Sequence, residues 1–154
     1  MIYFPQAGHA DSLRWQSAST VAPSGLLEQV VKENFESSFQ SRVNSAQMKL
    51  LTVMQPQQQI PLYIIDTRTD YNNPSANFLC GAAGCNFLGY IRTKAGYQRV
   101  FSYYLNPALP ENLSIIEPTR TIRNGLPCLV FNQPIQNSIE KIKACFDGRQ
   151  YRTD

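Results

Sequence analysis

The 154 residues of this chain suffice for one domain but not for two independent hydrophobic cores. Hydrophobic residues make up 43% of the chain and charged residues 16%, which indicates a globular protein whose surface is polar rather than charged. The net charge of +3 comes without a run of Lys or Arg, so nucleic acid is not the expected partner. No apolar run reaches the about 18 residues of a membrane span, so no transmembrane segment is predicted.

The first 23 residues show neither a helical nor a strand period. We expect an N-terminal arm over residues 1–23 and a single domain over residues 24–154. The arm lacks the basic and apolar regions of a secretion signal. Its His9 is the only histidine, so a Ser-His-Asp or Cys-His catalytic arrangement would need the arm to dock in a cleft. We therefore predict that the protein is not an enzyme and that it has no catalytic residues and no cofactor.

An amphipathic helix is predicted over residues 25–40. Ser24 can cap its N-terminus, and Glu28 lies in the first turn. Apolar residues recur at every fourth position: Leu27, Val31, Phe35 and Phe39. We expect this apolar stripe to pack on a sheet.

From residue 46 onward, short apolar stretches alternate with Pro, Gly and Asn, which is typical of strands joined by turns. The candidate strands cover residues 48–54, 62–68, 86–93, 98–105, 113–117 and 127–132. Gly96 can supply the positive φ of a hairpin turn. The whole pattern predicts an α+β fold, in which one helix packs on a twisted antiparallel sheet of about five to seven strands.

Residues 135–152 fit two structures. A helix would carry three isoleucines on one face: Ile135, Ile139 and Ile142. A hairpin would instead turn at Asp147 and Gly148, between two apolar runs. We favour the hairpin, because Asp-Gly is a strong turn signal and the helix would be short and weakly capped.

The cysteines are four in number, which favours disulfides and an oxidising compartment. Proximity pairs Cys80 with Cys85, and Cys128 with Cys145. With disulfides the protein is expected to be exported, periplasmic or lumenal, and with reduced thiols cytoplasmic. Two alternatives stay open at the CGAAGC segment: a thiol redox site, or a zinc site built from all four thiolates. The spacing matches neither site, so no metal is predicted.

Two further groups of residues could carry chemistry or binding. Asp66 and Asp70 could act as an acid/base pair, although a solvated loop fits as well. Tyr97, Phe101 and Tyr103 alternate along one predicted strand and should share one face. These three aromatic residues are the candidate partner-binding residues, with core packing as the alternative.

Three cysteine motifs follow one another in order: CGAAGC, GLPC at residues 125–128, and CFDG at residues 145–148 with Tyr151 after it. With these motifs, residues 62–151 resemble a group of small uncharacterised bacterial proteins, of the kind found in cyanobacteria. The resemblance implies an antiparallel sheet with a terminal hairpin. It implies no activity, because none is established for that group.

The expected function is a non-enzymatic module that binds another protein or stabilises an assembly as a structural subunit. The missing catalytic inventory, the polar surface of low charge and the N-terminal arm all favour this hypothesis. The alternative is a thiol redox or zinc-binding protein centred on the CGAAGC segment. The sequence leaves open whether a small molecule also binds.

Overall fold

A computed structural model describes residues 14–153. Three short helices cover one antiparallel sheet, and a second antiparallel sheet covers its other face. The helices are α1 (Ala18–Val21), α2 (Leu26–Asn34) and α3 (Ser37–Gln40). Sheet A comprises β1 (Gln16–Ser17), β2 (Lys49–Val53), β3 (Leu62–Asp66), β4 (Cys80–Gly81), β5 (Gly84–Thr93) and β6 (Gly96–Leu105). Sheet B comprises β7 (Ile116–Arg123), β8 (Leu126–Ile135), β9 (Ser138–Phe146) and β10 (Tyr151–Thr153).

The two sheets differ in their connections. In sheet A, β5 is the central strand and pairs with β3, β4 and β6, while β1 and β2 extend the sheet beyond β3. Sheet B is a meander in the order β10-β9-β8-β7. A connection with prolines at positions 107 and 110 carries the chain from β6 to sheet B. The α+β class is confirmed in broad terms, but the single sheet is wrong, because the strands after this connection form a sheet of their own.

Both faces of sheet A are buried, and the alternation along its strands explains why. On β2, Leu50 faces the helices and Leu51 faces sheet B. The core between the sheets is rich in aromatic residues, among them Phe87, Phe101 and Phe131. A second core lies under the helices and includes Leu26, Val30, Ile65 and Tyr90.

The predicted helix over residues 25–40 is interrupted, so the prediction of one continuous helix is wrong. α2 ends at Asn34, and Phe35 adopts an extended conformation (φ −116°, ψ 141°) that buries its ring. The Asn34 amide donates to the Val30 carbonyl oxygen (2.8 Å) and to the Tyr90 hydroxyl (2.9 Å). Asn is a weak helix former, and here its tertiary hydrogen bonds outweigh continuation of the helix. Gly25, at φ 86°, takes the N-cap position predicted for Ser24.

The two predicted hairpins are confirmed. Gly96, at φ 135°, pairs with Thr93 across the turn between β5 and β6. At the C-terminus, β9 and β10 form the hairpin, so the helical alternative for residues 135–152 is wrong. The candidate strand over residues 113–117 overlaps β7 only at its end, since most of β7 is only partly buried or exposed and lacks an apolar alternation.

Part of the predicted arm contributes to the fold. β1 pairs with β2, Ala18 of α1 is fully buried, and the Trp15 ring lies edge-on to Phe87 at a centroid distance of 6.1 Å. His9 and the rest of residues 1–13 lie outside the described residues. Within residues 14–153, no helix is both long and apolar enough to span a membrane.

Candidate functional site

The two sheets leave a groove between β6 of sheet A and strands β8 and β9 of sheet B. It holds about 410 Å³ of open space. Its wall is mostly apolar and aromatic, with contributions from Tyr103, Tyr104, Phe131, Pro134, Ile135 and Ile142. We call this feature the edge groove.

The floor of the edge groove is rigid because it belongs to the core. The Tyr103 ring stacks on Phe101 at 5.4 Å and meets the edge of Phe131 at 5.1 Å. The Tyr103 hydroxyl donates to the carbonyl oxygen of Tyr151 (3.0 Å), which ties β6 to β10. Burial raises the pKa of Tyr103, and the positive charge of Arg152 opposes this shift. The phenol therefore stays neutral and acts as a hydrogen-bond donor at physiological pH.

The rim of the edge groove exposes large apolar side chains to solvent. Tyr104 is 49% exposed and Ile135 is 42% exposed. One end of the groove is fixed by Gln133, whose amide oxygen accepts the Asn106 N–H at 2.8 Å. Exposed apolar side chains above an aromatic floor make the edge groove a candidate binding surface.

The three predicted partner-binding aromatics do not share one face, so that expectation is wrong. The register of β5 and β6 shifts between Gly89 and Tyr90, and the extra residue in β6 reverses the alternation. Tyr97 therefore packs on the helical side, where its hydroxyl donates to the Ser24 carbonyl oxygen at 2.8 Å. Phe101 and Tyr103 face sheet B. Phe101 is 2% exposed, which leaves Tyr103 as the residue of the three that lines the groove.

Gly89 makes room for this aromatic floor. The Phe101 ring lies directly over Gly89, its register partner on β5, and a Cβ at that position would overlap the ring. Glycine within a strand often marks such a close approach. The sequence contains this signal, but it is visible only once the pairing of β5 with β6 is known.

Three further groove residues escaped prediction because they come from the turn and strand that follow Asn132. Pro134 and Ile135 end β8, and Ile142 lies on β9. The sequence did contain a signal for these residues. Isoleucines lie on both sides of a polar turn, so apolar side chains remain near the point where the chain reverses. The hairpin favoured for this segment turned at Asp147 and Gly148, so it did not bring Ile135 and Ile142 to one groove.

The four cysteines form two disulfides in different sheets, with the pairing that proximity predicts. Cys80–Cys85 joins β4 to β5, with a Cα–Cα distance of 4.0 Å. Cys128–Cys145 joins β8 to β9, with a Cα–Cα distance of 4.2 Å. The described residues contain no group of three or more His, Cys, Asp or Glu side chains that could hold a metal ion.

The Cys80–Cys85 disulfide borders a second opening. This cleft of about 500 Å³ is lined by both cysteines, by the Gly81-Ala82 turn and by Pro107. Cys80 is half-buried, whereas Cys128 and Cys145 are buried. Of the two disulfides, Cys80–Cys85 is therefore the one that a thiol from solution can approach.

Asp66 and Asp70 have separate partners. The buried Asp66 carboxylate accepts from Arg68 Nε (3.0 Å) and Nη2 (2.6 Å). Burial alone would lower the Arg68 pKa, but the hydrogen bonds and charge of Asp66 outweigh burial and raise it. Asp70 instead accepts the backbone N–H of Asn72 at 3.1 Å. This geometry favours a neutralised, structural Asp66 over an acid/base pair.

Beside Asp66, a tyrosine packs between two cations. Arg68 lies 4.3 Å from the centroid of the Tyr71 ring, and the Lys49 ammonium lies 4.5 Å from it. Burial first, and then the charge of Asp66, raise the pKa of the Tyr71 phenol far above its usual range. A phenol held neutral in this way cannot serve as a base near pH 7.

No protein-family model, curated protein or solved structure matches this chain. The resemblance of its cysteine motifs to small bacterial proteins therefore stays an expectation.

Proposed function

We propose that this chain is a non-enzymatic binding module that docks a segment of another protein in the edge groove. The observation that carries the proposal is the exposure of Tyr104 and Ile135 above a floor fixed by Tyr103 and Phe131. Covering such side chains removes apolar surface from water, at roughly 25 cal/mol per Å². A floor that is already ordered loses little conformational entropy on binding.

Glutamate at a rim position tests this proposal. Ile135→Glu places a charge where the partner's apolar surface would lie, so partner binding should fall by at least about tenfold. Ile60→Glu is the matched control, because Ile60 is 37% exposed and does not line the groove. Both variants should unfold at the same urea concentration as the parent protein, since both positions are exposed.

The measurement is quantitative affinity capture from source cells with the parent protein and both variants, followed by titration of the purified partner. The proposal requires a protein that is retained by Ile60→Glu, lost by Ile135→Glu and bound again as a purified component. If the two variants capture the same proteins in the same amounts, the edge groove is not the binding surface.

The buried Cys128–Cys145 and half-buried Cys80–Cys85 disulfides favour an oxidising compartment, so we propose an exported, periplasmic or lumenal location. There the disulfides would act as structural links. Each restricts the unfolded chain and so stabilises the fold that holds the groove.

A second candidate function is thiol–disulfide exchange at Cys80–Cys85, favoured by the open cleft beside that bond. A small dithiol such as dithiothreitol would attack one sulfur, and its second thiol would complete the exchange. The two protein sulfurs would leave as thiols, while the reagent became a cyclic disulfide.

Mass spectrometry after graded reduction and alkylation tests this second function. Redox activity requires reversible reduction of Cys80–Cys85 at a potential within the range of cellular dithiols, with Cys128–Cys145 still intact. If Cys80–Cys85 resists reduction until the protein unfolds, its role is structural.

A further inference from the structure

A second opening, polar rather than apolar, lies between α2 and the turn that joins β9 to β10. It holds about 650 Å³, and its wall is formed by Glu33, Tyr97, Gln98, Arg99 and Gln150. We call it the polar cleft. It adjoins the start of β6, whereas the edge groove adjoins the end of that strand, so the two openings are separate sites.

A chain of three hydrogen bonds runs beneath the polar cleft from a cation to an anion. Arg99 Nη1 donates to the Asn34 amide oxygen (2.5 Å), and the Asn34 amide nitrogen donates to the Tyr90 hydroxyl (2.9 Å). The Tyr90 hydroxyl in turn donates to Glu33 Oε1 (2.7 Å). Every group in the chain donates towards Glu33, and hydrogen bonds aligned in this way strengthen one another.

Tyr90 anchors this chain in the core. Its side chain is fully buried under the helices, and Arg99 lies directly opposite it in the register of β5 with β6. Burial first, and then the hydrogen bond to Glu33, raise the pKa of the Tyr90 phenol above its usual range. The phenol therefore keeps its proton at physiological pH and fixes one carboxylate oxygen. Gln29 Nε2 fixes the other, Glu33 Oε2, at 2.8 Å.

The same chain accounts for the interruption of the predicted helix. Asn34 is the last residue of α2, and its side chain joins Arg99 to Tyr90. The local sequence favours a continuous helix over residues 25–40, and the contacts of the cleft override that signal. Places where the fold overrides a local signal in this way are expected to be functional or strained sites.

Two glutamines of the wall are held from behind by the main chain. Gln98 Nε2 donates to the Arg149 carbonyl oxygen (3.1 Å), and Gln150 Nε2 donates to the Arg99 carbonyl oxygen (2.9 Å). Both contacts join residues 51 positions apart in the chain. Among residues 14–153, no hydrogen bond reaches the amide oxygen of either glutamine, so both acceptors are open to a ligand.

The two charged groups of the cleft are held apart from each other. Both side chains are exposed, and within the described residues Glu33 and Arg99 form no ion pair with each other or with a third residue. The separation follows from the hydrogen-bond chain, because Glu33 is bonded to Tyr90 and Arg99 to Asn34. The result is an anion and a cation that face solvent in one cleft.

We propose that the polar cleft binds a free α-amino acid, with the ammonium group on Glu33 and the carboxylate on Arg99. This binding goes beyond the docking of a protein segment in the edge groove and does not depend on it. A carboxylate accepts the N–H groups of an ammonium, and a guanidinium donates to both oxygens of a carboxylate. The amide oxygens of Gln98 and Gln150 accept further N–H groups, from the ammonium or from a polar side chain.

The span between the two charges suits an α-amino acid. Three hydrogen bonds and the Asn34 amide join Arg99 to Glu33, so the bonded atoms of these two side chains lie at most about 10 Å apart. An α-amino acid with a hydrogen bond at each end spans roughly 8 Å. A neutral sugar would leave both protein charges without a counter-charge, so the charge pair favours a zwitterion.

The probe is L-glutamine, whose side-chain amide can donate to Gln98 or Gln150. Two matched ligands each lack one charge: N-acetyl-L-glutamine lacks the ammonium, and L-glutaminamide lacks the carboxylate. Binding is followed by the chemical shifts of the 15N-labelled full chain at the backbone amides of Tyr97, Arg99 and Gln150. We expect L-glutamine to bind at millimolar concentration and each matched ligand to bind about tenfold more weakly.

Two variants assign each charge of the ligand to its side chain. Glu33→Gln should weaken the binding of L-glutamine about tenfold and leave that of N-acetyl-L-glutamine unchanged, because the lost contact is the one to the ammonium. Arg99→Met should weaken L-glutamine about tenfold and leave L-glutaminamide unchanged. The matched controls are Glu36→Gln and Arg123→Met, which remove the same charges at exposed positions outside the cleft.

Amino-acid binding is overturned if L-glutamine at tens of millimolar shifts none of the cleft amides, or if both matched ligands bind as tightly as L-glutamine. It is also overturned if D-glucose shifts these amides and L-glutamine does not, which would identify a neutral sugar as the occupant. These comparisons use the parent protein, so they decide the matter even if a variant fails to fold. Equal weakening by the cleft variants and their controls would show a general effect of charge and would likewise contradict the site.

Discussion

The two outer edges of sheet B are built differently. On β7, Pro118 lacks an N–H, and the register with β8 shifts between Pro118 and Ile122. On β9, the pairing with β8 is continuous, and the Cys128–Cys145 disulfide fixes the strand. An irregular edge with proline resists pairing with another chain, whereas a straight edge can accept it. Within residues 14–153, β7 is therefore the irregular edge of sheet B, and β9 is the regular one beyond its pairing with β10.

The largest expected effect is a difference in stability between substitutions in the floor of the edge groove and substitutions at its rim. Phe131→Ala should lower the free energy of unfolding by about 3–5 kcal/mol, because the buried ring fills the space between Phe101 and Tyr103. Ile135→Ala, at the rim, should change it by about 0.5 kcal/mol or less. Urea denaturation measures both. Equal losses would mean that the groove has no rigid floor.

The next largest effect concerns the Cys128–Cys145 disulfide, which links β9 to β8. Replacing Cys128 and Cys145 together with Ala removes a link between residues 17 positions apart, and stability should fall by about 3 kcal/mol. Replacing Cys80 and Cys85 with Ala removes a link between residues only 5 positions apart, so the free energy of unfolding should fall by about 2 kcal/mol. The control is the parent protein under the same oxidising conditions in urea. A larger loss from the Cys80–Cys85 pair would contradict the ranking.

The sequence predicted most of the local structure on which these comparisons depend. Asp147-Gly148 identified the β9–β10 hairpin, because the carboxylate accepts the N–H groups of Arg149 and Gln150 and Gly148 takes φ 102°. Cysteine proximity gave both disulfides. These features are short-range, so a few neighbouring residues determine them.

Features that depend on contacts between distant parts of the chain were harder to predict from the sequence. The break at Phe35 depends on Tyr90, which is 56 positions from Asn34 in the chain. The bulge in β6 separates Tyr97 from Tyr103, and nothing in the alternation of the strand itself reveals it. The groove needs two sheets to form, so a single-sheet prediction could not contain it.

A third prediction concerns Pro118, the proline on the β7 edge. Pro118→Thr restores an N–H and a residue suited to strands, so self-association should increase while the free energy of unfolding changes by about 0.5 kcal/mol or less. Pro110→Thr, in the connection before β7, is the control. Sedimentation velocity at rising concentration measures the effect. Monomeric behaviour of Pro118→Thr at all concentrations would show that proline is not what protects this edge.

The smallest expected effect concerns the pairing of β10 with β9. The pKa of Asp147 lies well below its usual range, because its carboxylate binds the N–H of Gln150, the Arg152 side chain and the N–H of Arg149. Because the folded pKa is depressed, this contribution is fully present above the unfolded value of about 3.9 and is lost as pH falls through the folded pKa. β10 should therefore stay paired from pH 7 to pH 4 and loosen in stronger acid.

Asp147→Asn should reproduce that loosening at neutral pH. Exchange of the Arg152 amide, which faces Cys145 across the pair, should accelerate by about tenfold. Asp70→Asn, in a loop away from β10, is the control. An unchanged Arg152 amide in Asp147→Asn would show that the carboxylate does not hold β10.

Within residues 14–153, β9 presents a regular edge beside the groove beyond its pairing with β10, and amide hydrogen exchange of the unbound protein tests this claim most directly. We predict that the amides of Ile139 and Lys141 exchange at least about tenfold faster than that of Ile142, which bonds to β8. Equal protection of all three amides in dilute solution would contradict the claim, because the edge would then already be covered.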